Sequence, residues 1–321
     1  MATPFYNHHC MEAPTLDHPA RFSTTRAIAG DIKIAHSVFA LPFALLAAFL
    51  AAAGAGSIDW GVFVLELLLI AIAMVCARTV AMVANRLLDR HIDALNPRTS
   101  NRAIPSGRLG TEQALVSIGL GTGVFLLSCL GFLWVSGNPW PIMLAAPVLL
   151  WISLYPLSKR FTFLCHAWLG SSLAMSPLAA ALAVNPDALA EQPALWMLAG
   201  MVLAWVTGFD ILYALQDVEI DRSQGLHSMP ARLGTGTALW ISRILHTVAV
   251  VLLVLAWVFA PTLGYAFLAG IIAACGLLIW EHVLIARFGT ARISMAFFTL
   301  NGIVSCVLGL AGIIDVLVLS P

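Results

Sequence analysis

Runs of about 20 apolar residues, the length that crosses ~30 Å of hydrocarbon at ~1.5 Å per residue, recur along this whole chain. There are nine, centred on residues 38–53, 61–84, 114–135, 141–154, 161–184, 194–215, 238–260, 262–280 and 295–319. Only 10% of the 321 residues are charged and 60% are apolar, whereas a soluble domain is about a quarter charged. That balance cannot clothe a water-facing surface, so the bilayer is the solvent. The runs are unbroken, not alternating, which predicts helices and excludes the strands of a lipid-facing barrel. The expected fold is an all-α integral membrane protein of nine transmembrane helices.

The fourth run is short, and the first is expected to begin near Ala27 with an amphipathic turn carrying Lys33 and His36. Residues 1–26 have no apolar core and read as a flexible cytoplasmic tail, not a secretory signal, leaving residues 27–321 as one membrane domain. The six cysteines are scattered without paired spacing and read as packing residues. A net charge of zero offers no footprint for nucleic acid.

Basic residues set an orientation. All 16 Lys and Arg residues lie in the tail or toward the connections after the second, fourth, sixth and eighth runs. The opposite connections are short and carry only Asp59, Asp187 and Glu191. By the positive-inside rule the N-terminus and the basic loops face the cytoplasm, as expected of a multi-pass protein of the inner membrane.

Two polar clusters interrupt this pattern. Asn85, Asp89 and Asp93 follow the second run at intervals of four, and Asp217 and Asp221 follow the sixth at the same interval. On a helix that spacing stacks the side chains on one face. The flanks repeat as well: Pro105-Ser106-Gly107-Arg108-Leu109-Gly110-Thr111 is answered by Pro230-Ala231-Arg232-Leu233-Gly234-Thr235. Two related four-helix halves plus one helix are implied.

The acids are expected at carboxyl-terminal helix ends, where the helix dipole disfavours each by ~0.3–1 kcal/mol. A rule broken twice in the same way points to function. If the faces converge, four carboxylates share one point, and two divalent cations would neutralise them. Hard oxygen donors suit Mg²⁺, which shares its remaining positions with phosphate oxygens, so a diphosphate is the natural third party. Either cluster alone reads equally well as a charged helix end at the membrane interface; the matched pair beside nearby cations favours a site.

These clusters, the segment Tyr155-Pro156-Leu157-Ser158-Lys159-Arg160 and the loop 96–107 resemble the UbiA superfamily of membrane prenyltransferases. The resemblance runs from Asp31 onward and is closest to the 4-hydroxybenzoate polyprenyltransferase branch, which the opening 31–42 with Lys33, His36 and Phe39 also favours. It implies nine helices around a central cavity open toward lipid, with both aspartate motifs holding Mg²⁺ and a polyprenyl diphosphate. Asn85, Asp89, Asp93, Asp217 and Asp221 are then the metal ligands, and the four aspartates the catalytic centre. Arg98, Arg102 and Lys159 would add positive charge around the diphosphate, with Gln216 beside it. Tyr155 or Tyr213 would face the allylic cation, Asp210 would orient the acceptor or take a proton, and Arg160 would bind the acceptor's carboxylate. The tyrosines and Arg160 read equally well as interfacial anchors.

Many members of the family carry a second acid directly after the motif asparagine, and here Arg86 stands there. That leaves the acceptor open between 4-hydroxybenzoate and a dihydroxynaphthoate. A cation-coupled transporter is the rival of another class, but it would place its carboxylates near the midplane on broken helices.

Overall fold

The computed structural model describes residues 39–56, 58–293 and 296–319. The tail boundary and the turn with Lys33 and His36 lie outside the described residues. The chain forms α1 (Leu41–Gly54), α2 (Trp60–Leu88), α3 (Arg90–Leu95), α4 (Thr111–Val135), α5 (Trp140–Leu154), α6 (Cys165–Val184), α7 (Ala188–Glu191), α8 (Pro193–Tyr213), α9 (Val218–Ser223), α10 (Met229–Leu233), α11 (Thr235–Phe259), α12 (Tyr265–Phe288) and α13 (Asn301–Leu319). No strand occurs among the described residues.

Eight helical spans among the described residues are long and apolar enough to cross a bilayer. The first apolar run supplies only the 14 residues of α1, with Pro42 in its opening turn, where a missing N–H costs nothing. The fourth run, short in sequence, reaches 21 residues because a 3₁₀ turn, Tyr155–Arg160, continues α5. The two halves are parallel: α2, α3 and α4 in one answer α8, the short α9 and α10, and α11 in the other.

Burial identifies α8 as the central helix. Fourteen of its 21 residues are buried, and Trp205 packs edge-on against Phe43 of α1 and Phe209 of its own next turn. The outer helices do the reverse of a soluble protein and expose Leu68, Leu127, Val258 and other large apolar side chains. Trp60, Trp134, Trp140, Trp196 and Tyr265 are exposed at the helix ends opposite the aspartate motifs, as an interfacial aromatic belt requires.

Polar groups buried in this bundle find partners on other helices. Asp315 of α13 accepts from the backbone N–H groups of Gly264, Ala266 and Phe267, and so caps the first turn of α12. Asn301 bridges Trp205 and Glu281.

The aspartates do not sit on the last turn of an unbroken helix, as the sequence suggested. The chain kinks at Asp89 (φ −93°, ψ 6°), which ends α2 and precedes α3, and at Asp217 (φ −109°, ψ 6°), which precedes α9. Each motif therefore leads into the amino end of a short helix, where negative charge is favoured and not opposed. The four-residue rise survives the first kink, since Asp89 N–H donates to Asn85 O and Asp93 N–H to Asp89 O.

Candidate active site

Both motifs open onto one cavity of about 200 Å³ at the motif end of the bundle. Asn85, Asp89 and Asp93 line it from α2 and α3, and Asp217 and Asp221 from the segment after α8. Tyr155, Lys159, Arg98, Arg102, Asp210 and Tyr213 line it as well. Eleven of the thirteen residues singled out from sequence thus meet here.

Two do not. Gln216 lies in the 3₁₀ turn Ala214–Gln216 and donates to the Tyr213 carbonyl, which turns its amide away from the cavity lining. Arg160 donates to the Leu88 carbonyl at 2.6 Å and stands 3.5 Å from Asp89, so its guanidinium braces the end of α2.

The carboxylates are clamped by the cations expected around the diphosphate. Lys159 Nζ is 2.6 Å from Asp89 Oδ2. Arg102 Nη1 reaches both oxygens of Asp93, at 2.8 and 2.7 Å. Arg98 holds Asp217 through Nε and Nη2, and Asn96 Nδ2 adds a third bond to Asp217 Oδ1 at 2.9 Å. Asp221 takes a neutral donor instead, the Ser228 hydroxyl at 2.5 Å.

Electrostatics follow this pairing. Burial works against the Arg98 charge, but the hydrogen bonds and charge of Asp217, with Tyr213 and Asp93, outweigh it and raise the pKa. Burial raises the pKa of Asp221, and the Asp217 charge adds to it; the Ser228 bond and the Lys159 charge pull the other way without cancelling the rise.

The tyrosines are held by the motif residues. Asn85 Nδ2 donates to Tyr155 Oη at 2.7 Å. Arg98 Nη1 donates to Tyr213 Oη at 3.0 Å, with its guanidinium carbon 5.2 Å from that ring's centre. Arg86 lines the cavity and donates to Asn85 Oδ1.

Among the described residues, no three Asp, Glu, His or Cys side chains stand close enough to share one ion. The donor set nevertheless fits Mg²⁺ chemically: hard carboxylate and amide oxygens, already balanced by cations that a diphosphate can draw off.

Sequence reasoning missed His166, Asn96 and Ser228, all of which bond to acids of the cavity. An ionisable histidine inside an apolar run was the available signal for the first.

Residues 40–303 match the sequence profile of the UbiA prenyltransferase family. The chain belongs to this family. It is 35% identical over 210 residues to the mitochondrial 4-hydroxybenzoate polyprenyltransferase of Arabidopsis thaliana, covering 65% of this chain and 48% of that one. It is 30% identical over 242 residues to the 4-hydroxybenzoate octaprenyltransferase of Aliivibrio salmonicida, covering 75% and 79% of the two chains. Among UbiA-family structures, the apo UbiA homolog of Aeropyrum pernix superposes with a TM-score of 0.77 at 29% identity, covering 88% of this chain and 98% of that one. The Archaeoglobus fulgidus UbiA homolog bound to GPP and Mg²⁺ shares the fold, with a TM-score of 0.64 at 17% identity over 90% of this chain and 99% of that one.

Proposed function

We propose that this UbiA-family protein transfers a polyprenyl group from its diphosphate to the ring of 4-hydroxybenzoate, a step of ubiquinone formation, at the cytoplasmic face of the inner membrane. The observation that carries this reading is the convergence of two aspartate motifs, more than 120 residues apart, on one cavity ringed by Arg98, Arg102 and Lys159. The basic connections on that side support the cytoplasmic orientation. The curated relatives named for 4-hydroxybenzoate support the acceptor.

Asn85, Asp89, Asp93, Asp217 and Asp221 would hold Mg²⁺. When bound, the ion neutralises charge that grows on the departing diphosphate. The protein's own part is to present Arg98, Arg102 and Lys159 to the phosphate oxygens as the allylic carbon–oxygen bond stretches. Tyr155 and Tyr213 offer ring faces to the allylic cation, worth about 2 kcal/mol once desolvated. The acceptor's carboxylate would meet Arg86, which lines the cavity where many family members carry an acid, whereas Arg160 lies outside the lining and braces the end of α2. The ring carbon ortho to the acceptor hydroxyl then attacks.

Membranes containing the protein, given labelled polyprenyl diphosphate and Mg²⁺, should form product with 4-hydroxybenzoate and none with 1,4-dihydroxy-2-naphthoate. Product with the naphthoate alone would move the protein to menaquinone synthesis, and product with neither would refute the reading.

A further inference from the structure

One acid of the cavity is left over by the diphosphate chemistry. Asp210 lines the cavity from the last turn of α8, and its Oδ2 lies 2.6 Å from His166 Nδ1. No other hydrogen bond reaches this carboxylate among the described residues. Asp89, Asp93 and Asp217 each hold a lysine or arginine, and Asp221 belongs to the second motif.

His166 is held at both ring nitrogens. The backbone N–H of Met229 points at Nε2 from 3.2 Å. An amide N–H can only donate, so Nε2 keeps its lone pair and the ring's single proton sits on Nδ1. The imidazole is neutral, Nδ1–H is the donor, and Asp210 is the acceptor. Both residues line the cavity, and the carboxylate is the more accessible of the two, with the histidine side chain 5% exposed and that of Asp210 21%.

The surroundings hold this pair rigidly. Gly170 follows His166 by one turn of α6, and a Cβ there would run into the Thr207 hydroxyl and the Leu203 carbonyl of α8. The two helices are thus in near backbone contact one turn from the dyad. Met229 is fixed from the other side, since its neighbour Ser228 is tied to Asp221.

We propose that His166 is a positioning residue, fixing Asp210 as the carboxylate that receives the ring proton of the aromatic acceptor. This rests on the prenyl-transfer reading above. In the step, the allylic carbon–oxygen bond breaks and its electron pair leaves with the diphosphate. A ring π pair forms the new carbon–carbon bond ortho to the hydroxyl. The electron pair of the displaced C–H bond returns to the ring, and its proton goes to Asp210, which becomes a carboxylic acid and later loses the proton to water in the cavity. A cation-paired carboxylate would be a poorer base; a neutral histidine orients Asp210 without quenching it.

The test uses the full chain in membranes, with whichever acceptor the wild type prenylates. His166→Leu, which offers neither donor nor acceptor, should lose kcat by roughly a hundredfold, with the KM for polyprenyl diphosphate and the half-saturating Mg²⁺ unchanged. His166→Gln, whose amide can donate to Asp210 and accept from Met229, should restore most of that loss. Asp210→Asn should match the leucine variant, and combining the two should cost nothing more. If the leucine variant does not fold, His166→Asn, one methylene too short to bridge, takes its place with the same expectation. Wild-type kcat in these variants, or a loss shared by the diphosphate KM and not rescued by glutamine, would overturn the proposal.

A readout independent of the acceptor separates this from the function itself. ¹⁵N-histidine spectra should contain an Nδ1–H tautomer that disappears in His166→Gln and shifts in Asp210→Asn. An Nε2–H tautomer at this position would sink the positioning role even in a fully active enzyme.

Discussion

Arg98 grips Asp217 across 119 residues of sequence, with Nη2 2.5 Å from Oδ2 and Nε 3.0 Å from Oδ1. The same planar fork matches two oxygens of a phosphate. Were Asp217 to ligate a metal ion, the Arg98 guanidinium would be free to grip the diphosphate. Arg98→Ala should raise the KM for polyprenyl diphosphate and lower kcat/KM by roughly 10- to 150-fold, the equivalent of about 1.5–3 kcal/mol of charge-assisted bonding. Half-saturating Mg²⁺ should not rise, because a competitor for Asp217 has gone. A higher Mg²⁺ requirement would show that Arg98 serves only to brace the aspartate.

Asp89 is 2% exposed and stands against Lys159 at 2.6 Å. Replacing it by alanine removes one oxygen-bearing group from the first motif and leaves a lysine without its counter-charge. Asp89→Ala and Asp217→Ala should each abolish prenyl transfer, and no excess of Mg²⁺ should restore it, since the lost ligand cannot be supplied by mass action. Assays in membranes across a range of Mg²⁺ decide this; undiminished turnover in either variant contradicts the metal assignment.

The motif acids were legible because their information is local: an interval of four residues puts Asn85, Asp89 and Asp93 on one face whatever the rest of the chain does. Their convergence with Asp217 followed from the internal repeat and the family resemblance. His166 was not legible, because its two partners, Asp210 and Met229, lie 44 and 63 residues away on other helices. The kinks at Asp89 and Asp217 also escaped, since periodicity reports a helical face and not where one helix hands over to the next. The orientation of Gln216 escapes for the same reason: adjacency to Asp217 says nothing of the 3₁₀ turn that points its amide back at Tyr213. Nor does proximity in sequence tell that Arg98, Arg102 and Lys159 sit on Asp217, Asp93 and Asp89 themselves.

Asp221 makes the metal site sensitive to pH. Burial is the largest influence and raises its pKa above the ordinary 3.8, while the Ser228 hydroxyl, a donor to the ionised form, lowers it. In the metal-free protein the folded state therefore favours the proton here. This contribution to stability is fully present below 3.8 and is lost as pH rises through the raised value. Mg²⁺ requires the ionised form, so its apparent affinity should weaken on acidification sooner than an ordinary aspartate would dictate. Ser228→Ala removes the lowering influence and should move the acid limb of the Mg²⁺-dependent rate to higher pH, with little change on the alkaline side. Rate measurements against Mg²⁺ at a series of pH values test the sign; a limb displaced toward lower pH is incompatible with it.

Asn301 joins three helices at a point away from the cavity lining. Its Oδ1 accepts from Trp205 Nε1 at 2.8 Å and its Nδ2 donates to Glu281 Oε1 at 2.9 Å, and all three residues are at most 1% exposed. In hydrocarbon no water can replace a lost partner, so Asn301→Leu leaves an indole N–H and a carboxyl oxygen unpaired between α8, α12 and α13. The expected cost is about 1–3 kcal/mol, at the lower end if the neighbouring side chains re-pair. Glu281→Gln, which keeps an acceptor oxygen for Asn301, should cost less. Thermal unfolding in detergent should rank the wild type above Glu281→Gln and that above Asn301→Leu, while transfer per folded molecule stays near wild type in both. The reverse ranking would mean that the charge of Glu281, and not the bridge through Asn301, holds these helices together.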